Sequence, residues 1–498
     1  MKKTILLCVA FLSLVFYSCS KDEGIGDDNG TGGDGISEKT YASFNFKFQP
    51  AGSLRSLNPE DDGGVGQNDI DASKVGNARL IIFNASTKAL EYNQEVNLTA
   101  NKTTVLVTSG NKKIFVLLNM KDRAPFASSL SSQSMTLDQF LALTYNAGTP
   151  GTFAAPSSGF SLSGMVLLDV SNQIGFPMSN SSKLTYTLAA NVDEQTAQGG
   201  SASATGTSPT NSFEISVDYL LAKVGLICSD AILETDDAIM TRPSYAIRNI
   251  AKETYFVQRY AGSEVASVYY HLFDGSTVQS EYDSYYDYSS AASVPVTNGT
   301  GQKYVYTAEN TNRSLRKGSA TYAAITLNYQ PKKTYTAPVY NALTGKVNLG
   351  ASSQTAPNTT FVVSKVQDIA EIPEGTYFNS VQTLKKAVFI ATYQREPVSG
   401  TDDALLDAVV SEGQYAEYEN GVSWYRLNIG EGSGTNTVYG VERGKIYTAT
   451  INAITGPGVP TEEDLITGPE EPLDEKTYVS ATIKVKGWVP VSQGGILN

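Results

Sequence analysis

Lys476-Thr477-Tyr478-Val479-Ser480-Ala481-Thr482-Ile483-Lys484-Val485-Lys486-Gly487-Trp488 reads as a β-strand. Val479, Ala481, Ile483 and Val485 alternate with polar residues, which puts small apolar side chains on one face and Ser480, Thr482 and Lys484 on the other. The acidic, proline-bearing stretch Gly468-Pro469-Glu470-Glu471-Pro472 precedes it, and such a composition is expected to act as an unpacked tether. A strand on a tether needs an acceptor. Near the other end of the chain the same signature recurs as Lys39-Thr40-Tyr41-Ala42-Ser43-Phe44-Asn45-Phe46-Lys47-Phe48. Lys, Thr, Tyr, Ser and Lys repeat in register, and the apolar set Ala42, Phe44, Phe46 and Phe48 corresponds to Val479, Ala481, Ile483 and Val485. Two half-buried strands share alternation in any protein; the sharper reading is that the tail can occupy the place of the early strand.

A chain of 498 residues exceeds the size at which a single core stops growing, so more than one domain is expected. The 29 Tyr and 18 Phe, with abundant Val, Thr, Ser and Gly, point to a mainly β protein. A net charge of -13 repels phosphate backbones and argues against nucleic acid as a partner. Lys2 and Lys3, followed by an apolar run from Ile5 to Tyr17, have the pattern of a signal peptide over residues 1–18. A small residue, Ser18, stands directly before Cys19, as at the cleavage and lipidation site of a bacterial lipoprotein. Phe16 and Tyr17 depart from that pattern, and Cys19 could instead be an ordinary cysteine beside a conventional cleavage site. The polar run that follows it favours the lipid anchor. With Cys8 in the signal and Cys19 assigned, Cys228 is left alone in an apolar run, where a buried inert thiol is expected.

Residues 20–38 read as a polar tether, and the strand at 40–48 follows. Then comes a breaker-rich loop carrying Leu54-Arg55-Ser56, a natural cut site for a trypsin-like protease. Further strands are expected at 77–83, 103–108 and 113–118, with a short helix at 136–144 opened by a Thr136/Gln139 capping box. The low-complexity stretch 196–211 is expected to be a mobile loop, after which residues 213–228 form one or two strands that close a first domain near 230. The second half repeats the β style at 245–250, 304–307, 320–329, 424–427 and 445–454, with a short helix at 403–411.

Chemistry is sparse. The single histidine, His271, lies among aromatic residues without a nucleophile motif, and clustered zinc ligands are absent from the sequence. No catalytic residue, metal site or cofactor is therefore assigned. The acidic run Glu60-Asp61-Asp62 to Asp69-Ile70-Asp71 lacks the spacing of a calcium loop and reads as a solvated segment. Glu281-Tyr282-Asp283-Ser284-Tyr285-Tyr286-Asp287-Tyr288 sets aromatics beside carboxylates, as a glycan-binding surface does and as an adhesive or subunit-contact surface also does.

Several motifs, in their order along the chain, resemble the fimbrilins of Bacteroidales, the Mfa-like and FimA-like subunits of type V pili. They are Cys19, the early strand with Arg55 in the loop after it, and Val217-Asp218-Tyr219-Leu220-Leu221-Ala222-Lys223-Val224. Tyr306-Thr307-Ala308-Glu309-Asn310-Thr311, Ala320-Thr321-Tyr322-Ala323-Ala324-Ile325 and Arg443-Gly444-Lys445-Ile446-Tyr447 follow, then Ile454-Thr455-Gly456-Pro457-Gly458 and the tail ending at Trp488. Gly444 departs from the Asn that many relatives carry after the arginine. The resemblance implies an all-β fold of two transthyretin-like β-sandwich domains with short helices and a C-terminal donor strand. The implied division is signal peptide 1–18, lipidated tether and removable first strand 19–55, sandwiches 56–230 and 231–468, and donor strand 469–498. It also implies a homopolymer with other fimbrial subunits, including anchor and tip subunits. Signal peptidase II would cut between Ser18 and Cys19, an Arg-specific protease would cut between Arg55 and Ser56, and the precursor would be an outer-membrane lipoprotein. The donor set would be Val479, Ala481, Ile483, Val485 and Trp488, replacing Ala42, Phe44, Phe46 and Phe48.

Overall fold

The computed structural model describes residues 38–48, 78–96, 102–118, 134–146, 153–155, 158–160, 177–270, 282, 285–287, 293–299, 304–311, 316–353, 359–431, 438–466, 468–473 and 479–487. Ser18, Cys19, Arg55, Ser56, the acidic run 60–71, His271 and Trp488 lie outside them. The fold is mostly β, as expected. Its first sheet is built from β1 (Lys39–Phe48), β2 (Ala78–Asn84), β3 (Leu90–Val96), β4 (Lys102–Thr108) and β5 (Gly110–Leu118). Four later strands complete it: β6 (Met178–Ser179), β7 (Tyr186–Leu188), the two-residue strand Thr207–Ser208 and β8 (Ser212–Tyr219). The spatial order is Thr207–Ser208, β7, β5, β6, β8, β1, β4, with β2 paired to β5 and β3 to β2.

Aromatic packing shows that this sheet curls over itself. Phe213 on β8 stacks beside Phe44 on β1 at 6.1 Å and meets Tyr186 on β7 edge-on at 5.4 Å, although β7 stands three places from β8 in the sheet order. The continuous apolar run of β5 has the burial expected of it, with Ile114, Phe115, Val116, Leu117 and Leu118 all in the core. Helix α1 (Leu137–Leu141) begins at the predicted capping box: Thr136 Oγ1 accepts from Gln139 N, and Gln139 Oε1 accepts from Thr136 N.

At Leu220 the chain leaves this sheet. β9 (Leu221–Cys228) lies in a four-stranded sheet between β11 (Tyr304–Ala308) and β14 (Lys445–Ile454), and β15 (Val479–Gly487) borders β14 at the sheet's end. Facing it is a sheet centred on β12 (Tyr322–Pro331), paired with β10 (Ser244–Arg248) on one side and β13 (Val422–Asn428) on the other. The buried Tyr245 hydroxyl of β10 donates to the Val224 carbonyl of β9 across the core, at 3.1 Å. Helix α3 (Val381–Tyr393), capped by Ser380, covers a small outlying sheet with Leu384, Ala387, Val388 and Ile390; the expectation of short helices alone left it out.

Two other expectations are corrected. The stretch 196–211 is ordered where a mobile loop was expected: α2 (Glu194–Gly199) starts at Asp193, whose carboxylate accepts from Thr196 N, and Ser203 exchanges backbone bonds with Ser212 and Glu214. Small polar residues cannot build a core, but their backbone groups can be satisfied by neighbouring strands. The segment expected to be an unpacked tether is also pinned. Gly318 N donates to Pro469 O at 2.8 Å, Lys317 N donates to Glu471 O at 3.0 Å, and Lys317 Nζ pairs with Glu471. A Cβ at Gly318 would lie 2.8 Å from Pro469 and 2.9 Å from the Tyr282 ring, so only glycine permits that approach.

Where the chain passes from β8 to β9, Arg443 forms a buried ion pair with Glu309, Nε to Oε2 at 3.1 Å. Its guanidinium also donates to Thr254 Oγ1 and to the carbonyls of Tyr255 and Phe256. Gly444 follows at φ +68°, a left-handed conformation that Asn also tolerates. Asp218 packs against it, with one buried carboxylate oxygen lacking a hydrogen-bond partner among the described residues. Burial raises the Asp218 pKa to about 6, and the Arg443 charge only partly opposes this. Because the folded value exceeds the unfolded one, the associated stability is fully present below about pH 4 and is lost as pH rises through about 6. Asp218→Asn is therefore expected to leave stability at pH 4 nearly unchanged and to raise it at pH 8 by about 1–3 kcal/mol. Denaturant unfolding at the two pH values checks this, and equal changes at both would contradict it.

Candidate functional site: the seat of the first strand

β1 is an interior strand. It runs parallel to β8, with Ser43 opposite Ser212 and Phe44 opposite Phe213, and antiparallel to β4, with Ala42 opposite Val105 and Ser43 opposite Thr104. Ala42 and Phe44 are fully buried and Phe46 is half-buried against the core, while the Phe48 side chain lies outside what is described. Burying the Phe44 ring alone contributes about 2–3 kcal/mol.

The segment that follows β7 bonds to the β8 edge of β1, next to the start of β8. Tyr41 N donates to Val192 O, and Ser43 N donates to Asn211 O at 2.9 Å. Asn211 is wholly buried and sits at φ 51°, a conformation Asn tolerates better than other non-glycine residues. Its amide donates to Thr40 Oγ1 at 2.9 Å and to the Tyr41 and Ala189 carbonyls, while its Oδ1 accepts from Ala189 N. Thr40 Oγ1 accepts in turn from Val192 N at 3.1 Å. Thr40 and Ser43 are both buried, at 1 % and 0 % exposure, while Lys39 is exposed; Thr40 shares the face of Ala42 and Phe44, and Ser43 is the polar residue buried on the opposite face. Sequence periodicity could not reveal this: it assigns alternate residues to solvent, whereas β1 is covered on both faces.

The tail strand β15 occupies a different kind of position. Among the described residues it pairs antiparallel with β14 alone, with Ile483 opposite Ala449, Ala481 opposite Ile451 and Val485 opposite Tyr447, and a bulge interrupts the ladder between Ile451 and Ala453. Val479 is buried, Ala481, Ile483 and Val485 are half-buried, and Ser480, Thr482 and Lys484 face solvent. The predicted alternation therefore holds in β15, at a sheet edge within its own chain. Among the described residues, the first-strand set and the tail set lie in separate sheets.

Glu281, Asp283, Ser284 and Tyr288 of the Tyr-rich stretch lie outside the described residues, and its described tyrosines are inward. Tyr282 and Tyr286 are 1 % exposed, Tyr285 is half-buried, and the rings of Tyr285 and Tyr286 pack around Tyr269. These tyrosines fill the core, which removes them from the glycan-binding or contact surface the sequence suggested; their apolar ring area outweighs the cost of burying a hydroxyl. Cys228 is buried, and burial pushes its thiol pKa up, away from nucleophilic character.

Residues 416–494, which include β13, β14 and β15, match the family described as major fimbrial subunit protein type IV, fimbrillin, C-terminal. The resemblance drawn from the sequence motifs thus holds over the region that carries the tail. No curated protein matches the chain in sequence. Among solved structures, a Parabacteroides distasonis protein described as a cell adhesion protein aligns with 92 % of this chain and 99 % of its own, at 12 % identity and a TM-score of 0.45. The fimbrilin FimA of Porphyromonas gingivalis aligns with 91 % of this chain and 99 % of its own, at 14 % identity and a TM-score of 0.42.

Asn211→Ala should strip β1 of its side-chain tie and leave buried acceptors unsatisfied, destabilising the protein by about 2–3 kcal/mol. Hydrogen exchange should accelerate at the amides of Tyr41 to Phe46 more than at those of β9. Uniform protection across both sheets would contradict the assignment.

Proposed function

We propose that the chain is a structural subunit, of the stalk type, of a cell-surface fimbria that assembles by strand exchange and supports adhesion. In this reading the precursor is exported as a lipoprotein, with the signal removed before Cys19 and the lipid on that cysteine. A protease then cuts between Arg55 and Ser56. The fimbrillin match over 416–494 supports the family setting. The observation that carries the mechanism is the contrast between the two strands: β1 is an interior strand joined to two neighbours, and β15 is an edge strand joined to one.

Cleavage after Arg55 would leave β1 attached to the body by non-covalent contacts alone. Its departure would expose unpaired backbone groups on both β4 and β8 and open the apolar slot beside Phe213 and Tyr186, a state that a strand of matching alternation relieves. The tail of a neighbouring subunit has that alternation and leaves a single ladder to provide it. This is β-augmentation with main-chain bonds giving affinity and alternate side chains giving specificity. Ala481 would stand where Phe44 stood, so the rings of Phe213 and Tyr186 would have to close inward over the smaller side chain, with Trp488 adding volume farther along. The two sandwiches, 56–230 and 231–468, would form the repeating body of the fibre, and residues 469–498 its connecting arm. Loss of residues 19–55 would also release the subunit from its outer-membrane anchor. The reading assigns structural work to the protein and no catalysis.

Treating the purified precursor with an Arg-specific protease is expected to yield a ladder of oligomers that disappears when residues 472–498 are deleted. Ile483→Asp should block the ladder while the uncut monomer keeps a cooperative unfolding transition, because an ionised group in the apolar slot is heavily penalised. A stable monomer after cleavage, or soluble polymer from the Asp variant, would refute strand exchange.

A further inference from the structure

The buried serine of β1 marks a small pocket with a polar lining. Ser43 points away from the Phe44 side of the strand, yet it is 0 % exposed. Helix α2 packs against both β1 and β4, with its buried residue Ala197 facing the protein. On the strand beside it, Thr104 Oγ1 donates to Ser43 Oγ at 3.2 Å. The helix is fastened mainly to the two strands that flank β1. The Gly200 carbonyl at its C-terminal end accepts from Ser212 Oγ of β8 at 3.0 Å and from Lys102 Nζ of β4 at 3.2 Å, and Lys102 also donates to the Gln198 carbonyl. Gly200 is seated so closely that a Cβ there would lie 2.1 Å from Thr210 Oγ1. Roof and wall therefore belong to parts of the subunit that remain when β1 is absent.

The tail carries a serine at the matching place. Aligning Lys476-Thr477-Tyr478-Val479-Ser480 with Lys39-Thr40-Tyr41-Ala42-Ser43 sets Ser480 on Ser43. In its own chain Ser480 faces solvent, where any polar residue would serve, so its present position does not account for its identity. A displacement of the tail by two residues would put Tyr478 or Thr482 under the helix, the first far too large and the second larger by a methyl group. A displacement by one would turn the apolar face outward.

We infer that Ser480 of one subunit enters the pocket between α2 and Thr104 of a second copy, and that this pocket fixes the register in which the tail is accepted. The inference rests on the strand exchange proposed above. It makes Ser480 and Thr104 the polar determinants of register, in addition to the apolar set that provides most of the buried area.

The test uses the full-length precursor cleaved by an Arg-specific protease. A Ser480→Cys, Thr104→Cys double variant is expected to give a ladder of disulfide-linked subunits on a non-reducing gel after cleavage and none before it. A Thr482→Cys, Thr104→Cys variant should polymerise without cross-linking. Ser480→Leu should lower polymer yield at least tenfold while leaving the melting temperature of the uncut monomer unchanged, since Ser480 is exposed there. Polymer that cross-links through position 482, or Ser480→Leu polymer at the wild-type yield, would overturn the pocket and leave strand exchange standing. Failure of the wild-type chain to polymerise would overturn both.

Discussion

The structure depends on the demand that buried backbone groups be paired. β1 meets that demand for two neighbours at once, β8 on one side and β4 on the other. β4 also continues into β5 through Ser109 and holds Glu91 of β3 through Thr108, so removing β1 would leave β4 tethered but without its ladder to β1 and would open the core at Phe213. The segment from Ala189 to Asn211 adds to the hold on β1 through backbone groups, one buried amide and the Thr40 hydroxyl.

The junction near Arg443 has a different role. There a buried guanidinium binds Glu309 and three backbone or hydroxyl oxygens of residues 254–256, and the neighbouring Asp218 and Gly444 join the end of β8 to the start of β14. Breaking such a pair leaves an uncompensated buried charge, so the arrangement is costly to disturb. These contacts link the end of the first sheet to the sheet that β15 borders. The pinned stretch Gly468 to Leu473 adds a second fixed point, held to Arg316–Gly318 close to where the tail leaves the body.

Much of the strand content was legible, for a simple reason. In β5, β14 and β15 the buried face is written as runs or alternations of apolar residues, and in α1 the capping box names its own start. The failures share a cause as well. The stretch 196–211 and the segment 468–472 have no large apolar side chains to announce burial, and both are held by backbone hydrogen bonds to other segments. The tyrosines at 282 and 286 misled in the opposite direction, because a tyrosine is compatible with both surface and core and only the surrounding packing decides.

From the sequence alone, one can establish that residues 39–48 and 476–485 carry the same alternation and that each is a strand with one apolar face. That much is local, since it follows from side-chain period and β-propensity. Tertiary structure decided that the first lies inside a sheet and the second at the border of another, and that Ser43, polar and on the supposed outer face, is buried beneath a helix. Pairing partners and coverage of the second face depend on segments distant in sequence, from Thr104, 61 residues from Ser43, to Asn211, 171 residues from Thr40, and periodicity within one strand holds no record of them.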